Sequence, residues 1–323
     1  MKILVTGAGG FIASHLVESL VEQGHEVRSF VRYNSSNSWG WLEDSPCRDM
    51  VEILAGDVRD YDLVRVAVAG CQQVFHLAAL IGIPYSYVSP LAYLRTNVEG
   101  TYNILQAARE CGVERVVHTS TSEIYGTAQY VPIDEAHPVN PQSPYAASKS
   151  GADQLALSYY RSFDLPVTVV RPFNTYGPRQ SARAIIPTVM AQILEGKRKI
   201  SLGNLTPTRD LTFVSDTVSG FLAATASQQT IGETVNLGTG SEISMGNLVA
   251  KIAHILECPV EIVTEAQRLR PAKSEVERLL SNPLKMQSLT GWSAQVSLEE
   301  GLRRTAAWMR ERKSLYKSDI YNV

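Results

Sequence analysis

Cysteine is scarce and unpatterned in this chain. The four present, Cys47, Cys71, Cys111 and Cys258, form no Cys-x-x-Cys pair and no metal-ligand spacing. That excludes a disulfide-stapled scaffold and a structural metal site, and leaves the reduced thiols of a cytoplasmic protein as the expectation. A long basic run is also missing and the formal net charge is −2, so neither nucleic acid nor an anionic membrane surface is an expected partner. No apolar run approaches the ~20 residues that cross a bilayer. The first strand starts at Lys2 with no signal-peptide pattern ahead of it. Internal repeats and low-complexity tracts are absent as well.

What is there is a 323-residue chain with 44% hydrophobic residues, enough for a substantial core and one or two domains. Short apolar runs at 2–5, 27–31, 51–54, 74–77, 116–119 and 167–170 read as strands. Helical patterns at 14–23, 60–70, 96–111 and 145–163 fill the gaps. This alternation predicts an α/β fold, a Rossmann-type doubly wound parallel sheet with crossovers on both faces. After Pro172 the rhythm changes, because Pro178, Pro187, Pro207, Pro259, Pro271 and Pro283 cut the chain into short elements. Residues 235–238 read as one more strand returning to the sheet. The expected organisation is a dinucleotide-binding domain over 1–175, with returning segments near 210–240, and a smaller interleaved lobe over 176–323.

Gly7, Gly10 and Ala13 stand three apart, directly after the first strand and at the start of a helix, with Phe11 and Ile12 between the last two. A dinucleotide fingerprint needs this context: a tight turn, backbone N–H groups near a pyrophosphate, and a small residue for helix–strand packing. Asp57 and Val58, after the third strand, are candidates for bonding and packing an adenine. Leu77, Ala78 and Ala79 end the fourth strand with small residues where backbone passes close to a ribose or nicotinamide. His76 reads as a packed core histidine. An NAD site usually has an acid after the second strand, yet the chain has Arg32-Tyr33-Asn34-Ser35-Ser36. Arg32 and the serines suit a 2′-phosphate, so NADP is slightly favoured over NAD.

Tyr145 and Lys149 lie four apart, hence on one helix face, where an ammonium can lower the Tyr pKa. A phenolate so placed takes a proton from an alcohol while a nicotinamide takes the hydride. Such a pair also occurs on ordinary surface helices; the glycine turn is what gives it weight. Thr119-Ser-Thr121-Ser122-Glu123-Ile-Tyr125-Gly126 follows the fifth strand, at the carboxyl edge where ligands bind in this architecture.

These motifs, with Asn97, Arg171-Pro-Phe-Asn174, Tyr176-Gly-Pro178, Arg209-Asp210 and Asn236-Leu-Gly238, identify a resemblance. The chain resembles extended short-chain dehydrogenase/reductases, the NAD(P)-dependent nucleotide-sugar epimerase/dehydratase family, over nearly its whole length. Thr121-Ser122-Glu123 is similar to the 4,6-dehydratase pattern, whereas simple C4 epimerases lack the carboxylate. UDP-xylose synthases, which decarboxylate, also carry Ser-Glu there. Stretches 32–42, with Trp39 and Trp41, and 79–87 are similar to UDP-N-acetylglucosamine 4,6-dehydratases of the legionaminic acid pathway.

The resemblance implies roles. Tyr145 takes the O4 proton, Lys149 supports it and bonds the nicotinamide ribose, and Thr121 holds O4. Glu123 works at C5 and C6, and Asn97 belongs to the cofactor site. Asn174, Arg179, Arg209 and Arg270 are the substrate residues, the arginines suited to a diphosphate by their bidentate geometry; Arg183 shares Arg179's loop. Glu275 and Glu277 are expected to be structural or salt-bridging acids. A homodimer through the helices near 96–111 and 145–163 is also implied; Leu105, Ala108, Leu155 and Leu157 are apolar positions compatible with that contact and equally with the core.

Overall fold

A computed structural model describes residues 1–317. Its frame is a seven-stranded sheet of β1 (Lys2–Thr6), β2 (Glu26–Arg32), β3 (Glu52–Gly56), β4 (Gln73–His76), β5 (Arg115–Thr119), β6 (Val167–Pro172) and β10 (Thr234–Leu237). All its ladders are parallel, in the order β10-β6-β5-β4-β1-β2-β3. The chain therefore winds outward in both directions from the β1/β4 junction. Crossovers on opposite faces leave a crevice beyond the carboxyl ends of those two strands.

Both faces are covered, so the central strands are buried almost throughout instead of alternating. On one face α1 (Phe11–Glu22) packs Leu16, Val17 and Leu20 against Val218 and Phe221 of a later helix, Val214–Ala226. On the other, α2 (Tyr61–Val68), α5 (Gly100–Glu110) and α6 (Pro144–Phe163) bring Val64, Leu105, Ala108 and Leu157 into a second core. Leu105, Ala108 and Leu157 thus fill the interior of this chain and are not free to meet a second copy. Leu91, Leu94 and Tyr102 are among the exposed apolar side chains of this region. Two short helices, α3 (Ile83–Val88) and α4 (Pro90–Tyr93), precede a π-helical stretch over Leu94–Glu99.

The remaining strands build around the crevice. β9 (Thr208–Phe213) pairs with β7 (Asn174–Tyr176), β11 (Glu242–Ser244) and β13 (Arg278–Leu279), while β8 (Lys199–Leu202) pairs with β12 (Glu261–Thr264). Helix α7 (Ile185–Leu194) and helix Met245–Ile255 close their core. Among the described residues no helix is long and apolar enough to cross a membrane.

Candidate active site

The crevice is a single cleft of about 1000 Å³ that runs from the glycine turn to β8. At one end Gly7 has φ +68°, and a Cβ there would meet the Ala78 backbone at 2.9 Å. Thr6 Oγ1 accepts from the N–H groups of both Leu77 and Ala78 at 3.1 Å, which draws the ends of β1 and β4 together. Gly10 is the N-cap of α1 with no side-chain hydrogen bond, so the first N–H groups of α1 have no side-chain cap. That is the standard setting for a diphosphate.

Gly7, Gly10, Phe11, Ile12, Leu77, Ala78 and Ala79 all line the cleft as expected. Gly9 was not singled out by the spacing, yet a Cβ there would lie 2.2 Å from Trp39 O. Trp41 N donates to Gly9 O at 3.0 Å, so the β2–β3 loop docks on the turn. Trp41 also meets Trp308 edge-on at 5.5 Å.

Arg32, Asn34, Ser36 and Ser38 form the outer wall at this end. Asn34 Oδ1 accepts from the backbone N–H groups of Ser36 and Ser38, which folds the loop around a ligand-facing concavity without any acid. Three sequence-based assignments change here. The Asp57 carboxylate is engaged by Arg59 at 2.5 Å, and Val58 packs under Gly100, where a Cβ would meet it at 2.7 Å; neither lines the cleft. Asn97 is buried and spends its amide on Leu80 N, Leu80 O and Ser148 Oγ. It shapes the wall after β4 from behind. His76 is the packed histidine expected, bonded to Thr6 Oγ1 and Thr101 Oγ1, and burial holds it well below its ordinary pKa. These features together fit a nicotinamide dinucleotide.

At the chemical corner, Ser143 Oγ accepts from Ala146 N at 3.1 Å and Pro144 opens the first turn of α6. This capped start places Tyr145 and Lys149 one turn apart on the buried face. Thr121 Oγ1 accepts from Glu123 N at 3.3 Å and so caps the short 3-10 turn Ser122–Tyr125. Thr121, Glu123, Tyr145 and Lys149 are each under 10% exposed and line the same cleft.

Burial brings Lys149 down to about 8. It pushes Tyr145 well above the ordinary phenol value, opposed by a hydrogen bond with Thr121 and reinforced by the Glu123 charge. The expected lowering of the Tyr145 pKa by the Lys149 ammonium is outweighed here by desolvation. Desolvation of the phenolate outweighs its neighbour's charge, so further positive potential is needed for Tyr145 to ionise.

The third corner is cationic. Glu275 Oε1 lies 3.9 Å from Arg209 Nη2 and 3.5 Å from Arg270 Nη1, which makes Glu275 the salt-bridging acid expected. Asn174, on β7, presents a buried Oδ1 with no partner to the same space. Asp210 does not pair with Arg209; it accepts from the backbone of Thr239, Gly240 and Ser281. Arg179 is a correction. Its guanidinium bonds Ser14 Oγ at 3.1 Å and Glu18 Oε1 at 2.7 Å on α1, off the cleft. Arg183, its loop neighbour, lines the cleft instead. The linear sequence carries no signal that separates the two, because the choice depends on Glu18, over 160 residues away. No group of three or more His, Cys, Asp or Glu side chains is placed to hold a metal among the described residues.

Residues 4–305 match the family model described as GDP-mannose 4,6 dehydratase. The chain belongs to the GDP-mannose 4,6-dehydratase family. Within it, the chain is 35% identical over 318 residues to a UDP-glucose 4-epimerase of Mycolicibacterium smegmatis, covering 97% of this chain and 99% of that one. It is 32% identical over 321 residues to a dTDP-glucose 4,6-dehydratase of Streptomyces antibioticus, covering 98% and 95%. Among solved structures, DesIV, a dTDP-glucose 4,6-dehydratase from Streptomyces venezuelae with NAD and TYD bound, superposes with a TM-score of 0.89 at 30% identity, covering 98% and 99%. The chain is thus an extended short-chain dehydrogenase/reductase of the nucleotide-sugar dehydratase/epimerase type, and an enzyme fold.

Proposed function

We propose that this enzyme is a nucleotide-sugar 4,6-dehydratase with a bound nicotinamide dinucleotide, and that it acts on UDP-N-acetylglucosamine. The observation that carries the reading is Glu123, a carboxylate in the same cleft wall as Thr121, Tyr145 and Lys149. When bound, the cofactor supplies the hydride acceptor, later the hydride donor, and a positive charge beside Tyr145.

Tyr145 takes the O4 proton as C4 becomes a carbonyl, Thr121 holds O4, and the Lys149 ammonium favours the phenolate and bonds the cofactor ribose. The new carbonyl acidifies C5–H. Glu123 removes that proton and, with Ser122 beside it offering no second carboxylate, delivers one to the departing C6 hydroxyl. Water leaves, the hydride returns to C6 and a proton to C5, giving the 4-keto-6-deoxy sugar. Asn174, Arg209, Arg270 and Arg183 hold the diphosphate end.

The remaining readings follow from the same walls. Arg32 with Ser36 and Ser38 supports NADP binding at least as well as NAD. Residues 1–175 with the returning β10 carry the cofactor, and 176–323 carry the nucleotide sugar. Leu94 and Tyr102 support contact with a second copy, which size-exclusion chromatography with light scattering checks. Four free thiols suit a reducing cytoplasm.

A C4 epimerase is the second reading, favoured by the 35% identical relative and needing only Thr121, Tyr145 and Lys149. Product mass after incubation with UDP-N-acetylglucosamine decides: loss of water supports the dehydratase, and unchanged mass with an inverted C4 supports the epimerase.

A further inference from the structure

Behind the turn that carries Thr121 and Glu123 lies a buried polar chain that the reaction above leaves unused. Asp153 is fully buried and stands one helical turn after Lys149 on α6. Its Oδ2 accepts from Ser120 Oγ at 2.6 Å and from Arg171 Nε at 3.1 Å, and its Oδ1 lies 3.2 Å from His118 Nε2. Arg171, 4% exposed, also donates from Nη1 to Tyr125 Oη at 2.9 Å, and Tyr125 donates on to Asn236 Oδ1 at 2.8 Å. Ser120 and Tyr125 bracket the catalytic turn. One carboxylate and one guanidinium therefore grip both of its ends from α6 and β6.

A buried ion pair is a poor device for stability alone, since its desolvation offsets much of the attraction. What this pair does that apolar packing cannot is hold two specific hydroxyls, those of Ser120 and Tyr125. The titratable groups that feel the ammonium are His76 from β4 and His118 from β5. Both histidines are kept below their ordinary pKa by burial. Asp153 is the carboxylate that counters the desolvation of Lys149.

We propose that Asp153 is a positioning residue of this site. Paired with Arg171 it fixes the 120–125 turn against Tyr145. The inference rests on reading Tyr145 and Lys149 as the oxidising pair, but its test needs no substrate.

Asp153→Asn keeps the shape and removes the charge. In holoenzyme carrying carbon-13-labelled lysine, with the Lys149 signal assigned by its loss in Lys149→Met, the titration midpoint of Lys149 should fall by about one pH unit. Amide hydrogen exchange across 120–125 should accelerate about tenfold. A cooperatively folding Asn variant with parental exchange across 120–125 overturns the proposal. If the Asn variant does not fold, Ser120→Ala keeps both charges and unties only the turn. Faster exchange over 120–125 with an unchanged Lys149 midpoint is then expected, and parental exchange there overturns the grip. A product-mass result that favours the epimerase would refute the dehydratase reading and leave both of these outcomes intact.

Discussion

The two ends of the substrate cleft are built on opposite principles. Around Tyr145, Lys149, Thr121 and Glu123 everything is buried, and the supporting contacts are short hydrogen bonds from elements adjacent in the sheet. Around Arg209, Arg270 and Glu275 the enclosure is uneven, with Arg209 buried and its two partners less so. There the Arg270 and Glu275 side chains are 29% and 13% exposed and separations are 3.5–3.9 Å. Burial moves pKa values at the first corner because nothing fully replaces the lost hydration. At the second, burial also lowers the Arg209 pKa, but the nearby carboxylates of Glu123 and Glu275 oppose it, and Glu275 holds a space that a diphosphate can enter. On the proposed reading the first corner serves rate and the second retention.

The sharpest way to break that contrast is Tyr145→Phe. It should lower kcat by about 10²–10⁴, the usual contribution of a general acid–base group, with little change in nucleotide-sugar affinity by calorimetry. Near-parental turnover would remove Tyr145 from the chemistry. Glu123→Gln follows, with a loss of at least about 10² in water release. The variant should still reduce the cofactor on mixing with UDP-N-acetylglucosamine, seen as nicotinamide absorbance, and then stall. Wild-type turnover in heavy water should place deuterium at C5; a product without it excludes the C5 proton step.

The retention corner should answer differently. Arg209→Ala is expected to raise KM by about 10–150-fold, the equivalent of the ~1.5–3 kcal/mol of a charge-assisted contact, with kcat much less affected. Arg179→Ala is the control, because its guanidinium is spent on Glu18 and Ser14; its KM should equal that of the parent. Equal KM changes in both variants would erase the distinction drawn between the two arginines.

A pH profile sharpens the first corner again. Lys149 is brought down to about 8 by burial, and the charged form is the one that supports the phenolate. The ammonium is present below about 8 and lost above it, so kcat/KM should fall roughly tenfold per unit on the alkaline side. Lys149→Met should lose that limb. The smallest effect is expected at the adenosine end, where Arg32→Ala should weaken NADP several-fold and leave NAD unchanged, measured by fluorescence titration. A variant with parental NADP affinity would make Arg32 a surface charge only.

The sequence by itself determined the sheet, the glycine turn and the shared face of Tyr145 and Lys149, because each is written in local spacing. A strand followed by Gly7-x-x-Gly10 and a helix constrains its own backbone, and Tyr145 and Lys149 share a face through helix geometry alone. Thr121 and Glu123 were legible for the same reason, as a turn directly after a strand whose carboxyl end faces the crevice.

Tertiary structure decided what depends on partners distant in the chain. Asn97 looked like a cofactor ligand until Leu80 and Ser148 were seen to take its amide. Arg179 and Arg183 were indistinguishable until Glu18 claimed one of them. Gly9 gained its role only when Trp39 came within reach. The protonation of Tyr145 depends on how much water the folded cleft excludes. Spacing fixes which side chains can share a face; burial and the nearest opposite charge, which only the folded chain supplies, fix what those side chains can do.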